Sequence, residues 1–287
     1  MEIKKVCVLG AGTMGYGITQ LIAANGYEVS MRDIEDRFVQ NGLNAIKKNL
    51  QKFLVDKGKM TQDDADKVMA RIKGTVDMKE AVAGAQVIIE CVPEALSLKH
   101  QTFKELDELC PPETILATNT SSLSITEISN ATKRPDKVIG MHFFNPATVM
   151  KLVEVIPCAK TSDETYQVIK DLAIKLGKEV ITVQRDAAGF IVNRIFLAIC
   201  NEAAKLVYEG IATPEDVDKG CQFGLGHNMG PCRTMDLTGM DIVYHVIQVL
   251  QSEFGETFHP CPLIKHRAIA NELGVKTGKG FYDYSQK

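Results

Sequence analysis

Two titratable side chains stand among hydrophobes: His142, near the end of Met141-His142-Phe143-Phe144-Asn145-Pro146, and Glu154, within Lys151-Leu152-Val153-Glu154-Val155-Ile156. A carboxylate on an apolar strand costs free energy unless it is paired, and an imidazole one strand away is an obvious partner. A histidine at a strand's carboxyl end can act as general acid or base, whereas by itself it reads as a buried structural residue. Asn119, Ser121 and Ser122 follow another short strand in Ala117-Thr118-Asn119-Thr120-Ser121-Ser122. They offer hydroxyl and amide donors, with turn and capping chemistry as the alternative. Asn193, in Gly189-Phe190-Ile191-Val192-Asn193-Arg194, opens a long apolar helix and from spacing alone is equally a surface residue.

The element that would bring a substrate to such groups is at the amino terminus. Val6-Cys7-Val8-Leu9 runs into Gly10-Ala11-Gly12-Thr13-Met14-Gly15, then into a helical stripe of Ile18, Leu21 and Ile22 that Gly26 ends. Gly10 permits the tight turn, Gly12 lets backbone amides approach an anion, and Gly15 lets helix and strand pack, which is the pattern that binds a dinucleotide pyrophosphate. Asp33 closes the next strand, Tyr27 to Met31, about 20 residues on, where a carboxylate accepts from both ribose hydroxyls and repels a 2′-phosphate. Arg32 could instead hold that phosphate, but alternation along a strand points the two side chains to opposite faces. NAD is therefore favoured, and NADP remains open.

The 287-residue chain is long enough for one large or two modest domains, and its 45% hydrophobic and 24% charged content is ordinary for a soluble globular protein. A net charge of -3 gives no general footprint for nucleic acid, and no apolar run reaches transmembrane length. With no signal-peptide or transit pattern, the expected place is the cytoplasm. Eight scattered cysteines form no CxxC pair and no zinc-spaced cluster, so no metal is expected. Residues from Arg37 to Ile72 read as a helical hairpin, broken near Gly58 and restarted at the capping signal Thr61-Gln62-Asp63-Asp64. Short strands at 85–92, 114–117, 138–143, 152–156 and 180–183 alternate with helices at 98–109 and 164–176, predicting a largely parallel sheet. From Gly189 onward the pattern is helical, with Ile191, Ile195, Ala198, Ile199, Glu202 and Leu206 on one face and Thr213-Pro214 opening another helix. This places domains at 1–185 and 186–287, with a cleft between them as the default substrate site.

GAGTMG, ATNTSS, MHFFNP, KLVEV, GFIVNR and the terminal KTGKGFY, in this order and spacing, resemble the L-3-hydroxyacyl-CoA dehydrogenase family over essentially the whole chain. The resemblance implies a doubly wound Rossmann domain with an inserted helical hairpin, and an all-α C-terminal domain that forms a homodimer. It also implies interconversion of short-chain 3-hydroxyacyl-CoA and 3-ketoacyl-CoA with NAD(H). Position by position, His142 matches the catalytic histidine, Glu154 its carboxylate partner, and Ser121 and Asn193 the residues on the substrate. Glu94, Lys99, Asn119 and Lys276 match positions around the cofactor and cleft. Lys52 and Lys57, with Lys48 and Lys59, are candidates for the CoA phosphates, a solvated basic face being the alternative. Ala188, Thr148 and Asn228 stand where the family commonly has proline, which loosens turns without removing a reactive group. Two rivals stay open: a hydroxy-acid dehydrogenase on the same scaffold and a non-catalytic dinucleotide-binding protein.

Overall fold

The computed structural model describes residues 1–285, which form two compact units that divide between Ala187 and Ala188. In the first, β1 (Lys5–Leu9) buries its last four residues, as a strand covered by helices on both faces must. It lies between β2 (Glu28–Arg32) and β4 (Val87–Glu90), parallel to both. With β3 (Ile72–Thr75), β5 (Ile115–Thr118), β6 (Val138–Phe143), β7 (Leu152–Pro157) and β8 (Glu179–Thr182), the sheet has eight strands in the order β3-β2-β1-β4-β5-β6-β7-β8. The order reverses between β1 and β4, where connections leave toward opposite faces and open a crevice at the strands' carboxyl ends. Strands β6 and β7 pair antiparallel, and the other neighbours are parallel.

The crossovers are α1 (Thr13–Ala24), α2 (Asp36–Leu50), α3 (Gln62–Ala70), α4 (Met78–Val82), α5 (Leu96–Leu109), α6 (Ile125–Ser129) and α7 (Asp163–Lys175). Helix α1 buries Ile18, Leu21 and Ile22 against strand residues that include Val6, Val8 and Val29. Thr61 caps α3 as its sequence predicts, its hydroxyl accepting from Asp64 N at 3.2 Å. The hairpin differs from expectation at its end. Helix α2 passes into a π-helical turn, Gln51–Val55, α3 stops at Ala70, and Ile72-Lys73-Gly74-Thr75 becomes the edge strand β3. Four residues, two of them Lys and Gly, carry no apolar run to announce a strand. Pairing with β2 is a tertiary decision.

The second unit contains α8 (Val192–Tyr208), α9 (Pro214–Lys219), α10 (Pro231–Thr238), α11 (Met240–Phe254) and α12 (Pro262–Ile269) around a core with Leu197, Cys200, Met235, Ile247 and Ile264. Thr213 caps α9 through Asp216 N at 3.2 Å, with Pro214 at the first helical position. Two buried carboxylates tie down the chain's end. Asp218 accepts from Cys232 N at 2.8 Å and Tyr282 Oη at 2.7 Å, and Asp236 accepts from Phe281 N at 2.9 Å and Tyr282 N at 3.0 Å. Helix α8 turns Leu197, Cys200, Ala203 and Ala204 inward, so of the predicted stripe Leu206 packs against this core while Ile195 is 58% exposed. Among the described residues, no helix is long and apolar enough to cross a membrane.

Candidate active site

Gly10 sits at φ +101°, and a Cβ on Gly15 would run into the Gly10 carbonyl oxygen, so this turn requires glycine at both places. Space beside Gly12 is open, with no atom within 4 Å of where its Cβ would be. Gly12 is also the N-cap of α1, with no side-chain cap and no acidic residue in the first turn. Open space, uncapped amides and the positive helix end fit the pyrophosphate of a dinucleotide. Asp33 is fixed at the same loop, its Oδ2 accepting from Ala11 N and its Oδ1 from Ile34 N, each at 2.7 Å. Arg32 turns the other way and donates from Nε to Val76 O at 3.2 Å.

His142 and Glu154 lie directly opposite each other in the antiparallel β6–β7 register. Both are buried, and His142 Nδ1 and Glu154 Oε2 are 2.7 Å apart. A buried carboxylate facing Nδ1 selects the tautomer with its proton there and stabilises the imidazolium. The Phe144 ring packs on the imidazole with centroids 4.6 Å apart. Asn119 supports the same strand end, its Oδ1 accepting from Phe143 N at 2.8 Å.

Ser121 is held by Glu94. One oxygen of that carboxylate accepts from Thr120 Oγ1 at 2.5 Å, Ser121 N at 2.8 Å and Ser122 N at 3.2 Å, and lies 3.3 Å from Ser121 Oγ. Lys99 stands behind it, pairing with Glu94 at 3.3 Å and with Glu90 at 2.7 Å. Glu90 in turn accepts from Thr118 Oγ1 at 2.7 Å and Val92 N at 2.6 Å. Burial disfavours the Lys99 ammonium, but its two carboxylates more than compensate and hold its pKa above the usual value. Lys99, expected among the cofactor contacts, is 1% exposed and braces Glu94. Sequence reasoning missed Glu90, Thr118 and Thr120. The signal for Glu90 was available, since it is a carboxylate closing the apolar run Val87-Ile88-Ile89.

Lys52 and Lys57 each place an ammonium 5.5 Å from the ring of Phe53, an exposed aromatic on the π-helical turn. In the second unit, Asn193 is half-buried in the first turn of α8, and Lys276 pairs with Asp241. Thiol chemistry has no support: the eight cysteines are free, and burial pushes Cys7 and Cys91 far up and Cys110 to about 11.

Residues 5–187 match the family described as 3-hydroxyacyl-CoA dehydrogenase, NAD binding domain, and residues 189–284 match the corresponding C-terminal domain. The chain belongs to the 3-hydroxyacyl-CoA dehydrogenase family. This dehydrogenase is an NAD-dependent oxidoreductase with a Rossmann domain and a helical C-terminal domain. It is 45% identical to a probable 3-hydroxybutyryl-CoA dehydrogenase of Bacillus subtilis over 100% of its own length and 99% of that protein. It is 36% identical to human mitochondrial hydroxyacyl-coenzyme A dehydrogenase, over 98% of the chain and 91% of the relative. The crystal structure of an (S)-3-hydroxybutyryl-CoA dehydrogenase from Ralstonia eutropha superposes with a TM-score of 0.94 at 41% identity, covering 99% of this chain and 100% of that one.

Proposed function

We propose that this dehydrogenase interconverts acetoacetyl-CoA and 3-hydroxybutyryl-CoA with NAD(H), using His142 and Glu154 as its acid–base pair. The observation that carries the reading is the buried 2.7 Å contact between His142 Nδ1 and Glu154 Oε2, cross-strand partners at the carboxyl end of β6. Relatives that match over nearly their full length are named for this substrate, which supports its choice.

NAD, when bound, supplies the acceptor or donor of the hydride exchanged with substrate C3. The amides at Gly12 and the start of α1 hold its pyrophosphate, and Asp33 takes the ribose hydroxyls. With Nδ1 committed to Glu154, the His142 Nε2 exchanges the proton of the C3 oxygen: it accepts in oxidation, and the imidazolium donates in reduction. Glu154 steadies the charged ring, and Ser121 and Asn193 donate to the C3 oxygen as charge develops there. Lys52 and Lys57 take the CoA phosphates, with Phe53 between them as a flat face for the adenine.

A homodimer through the second unit belongs to the same reading. It is supported by the apolar side chains that unit leaves exposed, among them Ile195, Ile211, Phe223 and Leu225. Eight free thiols suit a reducing, cytoplasmic setting. Initial rates of NADH oxidation with acetoacetyl-CoA, against free 3-keto and 2-keto acids, test the substrate. A preference for any free acid would overturn it.

A further inference from the structure

Lys178 stands just before β8, only 8% exposed, and its ammonium donates to two main-chain carbonyls, Ala147 O at 2.6 Å and Met150 O at 2.7 Å. Burial pulls its pKa below the usual lysine value, because two carbonyl dipoles replace only part of the hydration it gives up. An enclosed ammonium is a costly way to hold a turn, so what the turn positions matters.

That turn lies on the connection 144–151, which joins the strand of His142 to the strand of Glu154. Within it Val149 N and Met150 N both donate to Pro146 O at 2.9 Å, and Glu179 N donates to Lys151 O at 2.8 Å. Ala147 is buried, and its Cβ lies 3.5 Å from where a Cβ on Gly17 of α1 would be. The carbonyls that Lys178 grips therefore belong to a segment that touches the helix behind the glycine-rich loop and links the two members of the acid–base pair.

We infer that Lys178 is a positioning residue for the His142–Glu154 pair, fixing where the β6–β7 connection docks on α1 and hence where the imidazole stands relative to the glycine-rich loop. The inference rests on the acid–base reading above. Lys178 donates to the main chain of the connection, and its effect passes through that main chain.

Lys178→Met keeps the unbranched side chain up to the Cε position and removes the donors. It should lower kcat for acetoacetyl-CoA reduction by about tenfold, the scale on which a small misplacement of a reacting group slows chemistry, while the Kd for NADH, measured by fluorescence titration, stays within about twofold. Combined with Glu154→Gln, its loss should be far smaller than the product of the two single losses, since both act through His142. A purely structural lysine would lower Tm and leave the losses multiplicative. Multiplicative losses, or a kcat within twofold of the parent, overturn the inference. If Lys178→Met does not fold, Lys178→Gln, which keeps an amide donor, carries the same cycle. Full activity in His142→Ala would sink the acid–base reading beneath; a dead His142→Ala beside a normal Lys178→Met sinks only the role of Lys178.

Discussion

Asp33 holds the glycine-rich loop through Ala11 N and, in the proposed reading, meets the ribose, so its removal should be felt twice. Asp33→Ala should raise the KM for NADH by roughly tenfold or more, the value of a lost charge-assisted hydrogen bond, and narrow the discrimination against NADPH. Initial rates with both cofactors check this, and a parent enzyme already preferring NADPH would contradict it. Glu94 gives a pH-dependent prediction. Burial pushes its carboxyl up, but the Lys99 ammonium and the donors at Thr120 and Ser121 outweigh burial and leave the pKa below the usual value. The stability this carboxylate adds is therefore present above the unfolded pKa and lost as pH falls through the lower folded one. Glu94→Gln should cost about 1–2 kcal/mol at pH 7 by urea denaturation, with the difference from the parent shrinking below about pH 4.5. A difference constant down to pH 3 would contradict the network. At this scale the sequence was informative wherever chemistry repeats a local spacing, as in Gly10 to Gly15, or sets a charge among hydrophobes, as at Glu154. The bracing of Glu94 by Lys99 was not legible, because the partners of Lys99 come from the end of β4 and the loop after it, and only folding shows that they enclose it.

Strand β6 and strand β7 show how an element makes a site: the antiparallel register alone puts His142 opposite Glu154, and a slip of one residue would send the two side chains to opposite faces. Both strands were legible because each is a mostly apolar run, interrupted by one titratable side chain and bounded by turn residues. Strand β3 was not, because its short, half-polar sequence becomes a strand only against β2. Helix α3 shows a local signal that suffices, since Thr61, Asp63 and Asp64 satisfy its first turn without tertiary help. Thr61→Ala should therefore destabilise the protein by about 1 kcal/mol in urea and leave kcat unchanged. A large fall in kcat would mean that the hairpin is coupled to the chemistry.

For the whole molecule, the exposed hydrophobes of the second unit set the expectation. Phe223 is 88% exposed and Leu225 is 68% exposed, apolar surface of the kind that marks an interaction site. An obligate interface buries on the order of 2,000 Å² or more, so light scattering should find a dimer down to micromolar concentration, and a stable monomer through the dilution series would refute it. The stripe on α8 was visible in the sequence, but whether it faced its own core or outward was not, because both faces of the helix carry apolar residues. The proposed reaction turns on one proton transfer at His142. The most direct test is the kcat of His142→Ala in NADH-dependent reduction of acetoacetyl-CoA, with NADH affinity measured on the same preparation. The acid–base account predicts a fall of roughly 10²-fold or more with affinity nearly unchanged; a kcat close to that of the parent would contradict it.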